Sequence, residues 1–161
     1  MKKLEYLIIH CTATQEGKEL TAEDIRKMHC SPPPKGRGWK QVGYSDMIHI
    51  SGLTTNLVPY NEDDIVQPRE ITNGALGLNG IARHVVYVGG VEKDGKTPKD
   101  TRTTQQLLTL RNYIHHVISA HPTIKILGHN QVENKACPCF EVPVWLRTIG
   151  VKEENIYIKT K

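Results

Sequence analysis

A chain of 161 residues is long enough to bury roughly 70% of its unfolded surface around one core without staples. It contains no apolar run near the roughly 20 residues that a membrane-crossing helix needs, so no membrane partner is expected. The formal net charge of +4 is mild and its Lys and Arg are scattered, which favours polyanionic surfaces but argues against a nucleic-acid-binding face. A single domain over 1–161 is the simplest division, with a core of about 4–150 and a tail at 151–161.

The start, Met1-Lys2-Lys3, is basic, but the apolar stretch after it carries Glu5 and ends at His10. Without a small-residue cleavage site it reads as a core strand over Leu4 to Ile9 rather than a secretion signal, and synthesis in the cytoplasm is expected. A short helix is predicted at about Ala22 to Met28, with Thr21 as N-cap and Asp24 completing a capping box. Ser31 to Gly38, with three consecutive prolines, is an exposed loop. Gln41 to Ile50 predicts a second strand, with Tyr44, Asp46, Ile48 and Ile50 on one face. Weak strands are expected near Leu57-Val58 and Ile65-Val66, then a glycine-rich loop over Asn73 to Gly80 and a central strand over Ala82 to Val88.

Glu92 to Asp100 is a polar surface excursion. The longest helix is predicted from about Thr104 to Ser119, where Leu107, Leu108, Leu110, Tyr113, Ile114, Val117 and Ile118 form a wide apolar stripe suited to lying on a sheet. A strand over Thr123 to Leu127 and a short helix over Pro143 to Ile149 follow, with Gly150 after its end. Ile156-Tyr157-Ile158 could add an edge strand. Strands alternating with helices give an α/β single domain, a mixed central β-sheet flanked by helices, with the candidate site at one edge of the sheet.

The chemistry concentrates in Gly128 to Cys139, a loop that carries His129, Lys135, Cys137 and Cys139 just after a buried strand. Metal binding or free thiols outweigh disulfides for the four cysteines of a chain without a secretion signal. Cys11 and Cys30 read as small buried hydrophobes. His10 ends the first strand, so two strands could deliver ligands to one ion. Two imidazoles and a thiolate would leave a fourth tetrahedral position open, as in hydrolytic zinc sites. Spacing alone leaves this open against a core histidine with two buried thiols, and either Cys137 or Cys139 could be the sulfur ligand.

Several segments together resemble a known family. Ile8-Ile9-His10-Cys11-Thr12-Ala13-Thr14, Val42-Gly43-Tyr44-Ser45-Asp46-Met47-Ile48, Val85-Val86-Tyr87-Val88-Gly89-Gly90 and Gly128-His129 through Lys135-Ala136-Cys137-Pro138 are similar, in order, to the zinc-dependent N-acetylmuramoyl-L-alanine amidases of type 2. That family includes amidase-type bacteriophage lysozymes and peptidoglycan recognition proteins, and the resemblance runs from residue 4 to about 147.

It implies Zn²⁺ held by His10, His129 and Cys137, with Tyr44 and Lys135 as the catalytic pair, and hydrolysis of the amide joining N-acetylmuramic acid to L-alanine. It selects Cys137 over Cys139, which becomes a packing or supporting thiol. The implied partner is peptidoglycan, met by a monomer, and the implied setting is a phage or prophage endolysin. A cell-wall-recycling amidase, a catalytically silent peptidoglycan-binding module and a Cys137–His129 thiol hydrolase are the alternatives. The chain departs from the family at Ser45 and Leu76, where histidines are frequent, and both positions bear on the substrate groove more than on the metal. Arg69 could meet a stem-peptide carboxylate or simply be a surface charge. His29, His49, His84, His115, His116 and His121 receive no role.

Overall fold

The apolar run Leu7-Ile8-Ile9 has no polar face because the strand it forms is covered on both sides. In the computed structural model, which describes residues 1–160, five strands make the main sheet: β1 (Tyr6–Cys11), β2 (Asp46–Ile48), β3 (Thr54–Asn56), β4 (Ala82–Tyr87) and β5 (Lys125–Gly128). Their order across the sheet is β3-β2-β4-β1-β5, parallel throughout except for the antiparallel edge pair β2–β3. The fold is α/β with a mixed sheet, as expected. Two small ladders, Lys2–Lys3 with Ile65–Val66 and Thr14–Gln15 with Gly90–Val91, tie loops to its rim.

The two faces of β1 separate packing from chemistry. Leu7, Ile9 and Cys11 face a core that includes Leu110, Ile114 and Val117 of the long helix below, together with Val142 and Leu146. Because side chains alternate along a strand, Ile8 and His10 point to the opposite face, where Met47, Val86 and Leu127 also lie. Three helices cover the sheet. The longest, Thr104–Ala120, presents the predicted stripe, and the shorter Val142–Thr148 packs beside it. The third, Ala22–Cys30, covers the other face through Ile25. In chain order these are α1 (Ala22–Cys30), α2 (Thr104–Ala120) and α3 (Val142–Thr148); the helix carrying Leu110, Ile114 and Val117 is thus α2. Both α1 and α2 begin with the full capping box, Thr21 with Asp24 and Thr103 with Gln106.

Three elements show the clearest differences from the sequence reading. The first strand runs two residues later than Leu4 to Ile9, so His10 lies within it rather than after it. The second strand shrinks to Asp46–Ile48. The Gly43 N–H is taken by His29 Nδ1 (3.0 Å) and the Val42 carbonyl by the Asn73 N–H (3.0 Å), leaving Tyr44 in an irregular segment. At the C-terminal end Ile156 makes a single bridge to Ile126 in place of a full edge strand; Lys161, last residue of the expected tail, lies outside the described residues.

Gln106 ties α2 to the sheet. Fully buried, it donates through Nε2 to the carbonyls of Val88 (3.0 Å) and Ile48 (3.4 Å) while its Oε1 accepts from the Thr103 N–H. Gln106→Leu keeps the volume but strands those carbonyls, and a buried orphan costs about 1–3 kcal/mol. A lowered urea midpoint with an unchanged slope is the expected result.

Candidate metal centre

His10, on β1, and the segment after β5 meet at the C-terminal ends of adjacent parallel strands, the end of an open α/β sheet where ligands gather. Donor atoms of His10, His129 and Cys137 all lie within 4.8 Å of one another. Cys137 Sγ is 3.8 Å from His10 Nδ1, close to the ~3.6 Å edge of a tetrahedron with zinc–nitrogen and zinc–sulfur bonds of ordinary length. The two imidazole rings are 4.6 Å apart between centroids.

Local structure fixes each donor. The ligand loop is held down by Tyr87, whose hydroxyl donates to the Pro138 carbonyl at 2.7 Å. Gly128 N–H donates to Gln131 Oε1 (2.9 Å) as the chain turns into the short 3-10 turn His129–Gln131. The Cys11 N–H donates to Cys137 Sγ at 3.2 Å and so helps to set the position of the sulfur.

Each histidine has its outer nitrogen engaged. His10 Nε2 pairs with His84 Nδ1 at 2.9 Å, and His129 Nε2 pairs with Glu133 Oε2 at 2.5 Å. Both rings are thereby left to offer Nδ1, and such partners are a recurrent feature of metal-binding histidines. Burial, with help from the neighbouring His84 and His129, holds His10 well below the usual imidazole range. Burial likewise lowers His129, and takes His84 down to about 3. These rings are neutral at physiological pH, the state in which imidazole binds metal. The chemistry and spacing of the donors fit a zinc ion with one coordination position left to the groove.

Above the donors is a cavity of about 210 Å³ lined by Tyr44, His29, Arg37, Trp39, Gly74 and Lys135 among others. It continues into a wider one of about 510 Å³ that shares Arg37, Trp39 and Lys135 and adds Lys40, Leu76 and Glu133. The Tyr44 ring is 5.3 Å from that of His10. Burial, then the nearby Cys137 and Cys11 sulfurs, push its hydroxyl far above the ordinary tyrosine value, so it keeps its proton. The Lys135 side chain is 50% exposed, with Nζ 3.3 Å from Glu133 Oε2. Glu133 accepts the Leu76 N–H through Oε1 at 3.0 Å.

All five expected site residues, His10, Tyr44, His129, Lys135 and Cys137, line this one cavity. Cys139 does not: its sulfur is 3.8 Å from that of Cys11, on the packed side. Arg69 is exposed and lines neither cavity. Four contributors escaped the sequence reading. Glu133 stands four residues after His129, a spacing that could have signalled its pairing. His84 was hidden inside an apolar strand, Arg37 in a loop read only as exposed, and Trp39 between that loop and the next expected strand.

His29 sits at the groove wall, where burial and then the Arg37 charge lower it from 6.5 to about 4. The unfolded chain therefore binds the extra proton between those values. The stability linked to His29 is present above about pH 6.5 and lost as pH falls toward 4. Urea midpoints measured at pH 7 and pH 5 should fall for the wild type and fall less for His29→Gln.

No family model matches the chain. It is 29% identical over 140 residues to an endolysin of Enterobacteria phage K11, covering 87% of this chain and 83% of that one. The N-acetylmuramoyl-L-alanine amidase LysCS of Clostridium intestinale superposes with a TM-score of 0.69 at 20% identity, over 93% of this chain and 86% of the other. The bumblebee peptidoglycan recognition protein PGRP-SA gives 0.69 at 18% identity, over 99% and 87%. The chain has the fold of phage amidases and peptidoglycan recognition proteins.

Proposed function

We propose that this chain is a zinc-dependent N-acetylmuramoyl-L-alanine amidase that cleaves peptidoglycan between N-acetylmuramic acid and L-alanine, acting as a phage or prophage endolysin. The observation that carries the reading is the convergence of two imidazoles and a thiol, from positions 10, 129 and 137, on one point beneath an open groove. The phage endolysin relative, matched over most of both chains, supports the same reading. Among the described residues no helix is long and apolar enough to cross a membrane. In this reading the enzyme is made in the cytoplasm and works as a monomer on the wall.

His10, His129 and Cys137 would hold the ion. Zinc supplies a water activated near neutral pH and Lewis-acid polarisation of the amide carbonyl. Tyr44 keeps its proton and so acts as a hydrogen-bond donor and orienting group for the attacking water or the departing amine rather than as a free base. Lys135 brings a positive charge to the groove mouth, placed for the oxygen that gains negative charge as the carbonyl is attacked. Its pairing with Glu133 limits the conformations the ammonium samples. The wider cavity, with Trp39, Arg37 and Lys40, offers an apolar face and two cations to the peptide and its carboxylates.

Digestion of purified sacculi followed by mass spectrometry tests this directly. Glycan strands should separate from intact stem peptides that bear new L-alanine amino termini, and a zinc chelator should stop the release. Cys137→Ser should lose both bound zinc and turnover. Binding to sacculi without cleavage would reveal a silent recognition module. Cleavage that survives chelation but not thiol alkylation would make Cys137 the nucleophile.

Lys135→Ala should retain stoichiometric zinc by elemental analysis while kcat falls by about 10²–10³, the usual effect of losing one oxyanion donor. Loss of the metal along with the rate would make Lys135 a structural residue instead.

A further inference from the structure

Resting on the metal-site reading above, we infer that Asn79 and His84 form a positioning relay that presents His10 to the metal through Nδ1. The chain of deduction starts at a backbone group whose polarity is fixed. The Ala75 N–H donates at 2.9 Å to the side-chain amide of Asn79, so the atom facing it is the oxygen, Oδ1. That same oxygen lies 3.1 Å from His84 Nε2, which must therefore carry a hydrogen. His84 Nδ1 then bears the lone pair, and it faces His10 Nε2 at 2.9 Å. His10 in turn carries its hydrogen on Nε2 and exposes its own lone pair on Nδ1, the atom 3.8 Å from Cys137 Sγ. One amide thus settles the tautomer of two consecutive imidazoles.

The surroundings are shaped to the relay. Ile8 and His84 are register partners on neighbouring parallel strands, which puts His84 and His10 diagonally adjacent on the same face. Both rings are almost fully buried. At Gly74 the loop passes so closely that a Cβ would sit 2.3 Å from His84 Nδ1, the very atom that accepts from His10. A residue larger than glycine at position 74 would displace the acceptor. A histidine that served only to fill space would need neither that notch nor a fixed amide on its far side.

The test is metal binding by the apo protein, read with Co²⁺ and then by Zn²⁺ competition. His84→Asn and His84→Leu remove the imidazole and leave side chains of nearly equal size. Asn can place Oδ1 where Nδ1 stood and accept from His10, whereas Leu cannot. The expected result is affinity within about threefold of wild type for His84→Asn and a loss of about 10–100-fold for His84→Leu, the range found for removing such a partner. The Leu variant should also show altered cobalt d–d bands. Equal binding by Leu and wild type would overturn the relay, and so would equal losses in Asn and Leu, since volume alone would then matter.

Should His84→Leu fail to fold by circular dichroism, Asn79→Ala serves in its place. It leaves His84 intact but frees its tautomer, and affinity should drop several-fold; unchanged affinity would overturn the proposal. A wild-type protein that binds cobalt without a thiolate charge-transfer band would instead defeat the metal-site reading itself.

Discussion

The candidate metal centre depends on a constraint that lies one step behind its donors: the outer nitrogen of each imidazole is occupied. His10 is held by His84 and His129 by Glu133. Both arrangements lead back to the same short stretch of chain. The Ala75 N–H fixes Asn79, which fixes His84, and the Leu76 N–H fixes Glu133. Two adjacent backbone amides of the glycine-rich loop thereby orient His10 and His129, which are separated by most of the sequence. That loop is itself anchored, through the Asn73 N–H, to Val42 beside Tyr44.

The sheet divides its labour between faces. One face of β1 carries Leu7, Ile9 and Cys11 into an unbroken apolar core under α2 and α3. The other carries Ile8 and His10 toward the groove, so the site rests on a floor that packing holds still. Its wall is different in kind. Arg37 stacks over Trp39 at 5.0 Å in a proline-rich loop, contributing charge and an aromatic surface from a segment without regular structure. A rigid floor and a loop-built wall is the usual division between chemistry and recognition.

Much of this was legible in the amino-acid sequence because the relevant signals are local. The capping box at Thr21, the stripe of α2 and the apolar runs of β1 and β4 each depend on neighbours within a few residues. The loop that brings His129 and Cys137 to His10 stood out by its chemistry, and its resemblance to the amidases pointed to Cys137 over Cys139. What stayed hidden depends on contacts between distant segments. The expected second strand fails around Val42 and Gly43 because their backbone groups pair with Asn73 and His29 instead of a neighbouring strand. His84 resembled any polar interruption of a buried strand until its diagonal neighbour on β1 was known. Arg37 and Trp39 carry no periodicity at all, so nothing in their order announces a groove.

The central position of β1 has a consequence for how the candidate centre would acquire a metal. The donor on that strand meets the two that follow β5 only after β1 and β5 have paired, a pairing between residues far apart in the chain. An unfolded polypeptide offers His129 and Cys137 as a loose local pair but no partner from the first strand. An ion that prefers the completed trio draws the whole sheet toward its native arrangement by mass action. Were the trio to hold zinc as proposed, zinc availability and conformational stability would be a single equilibrium, and scarcity of the metal would leave a population of looser, more protease-sensitive chains.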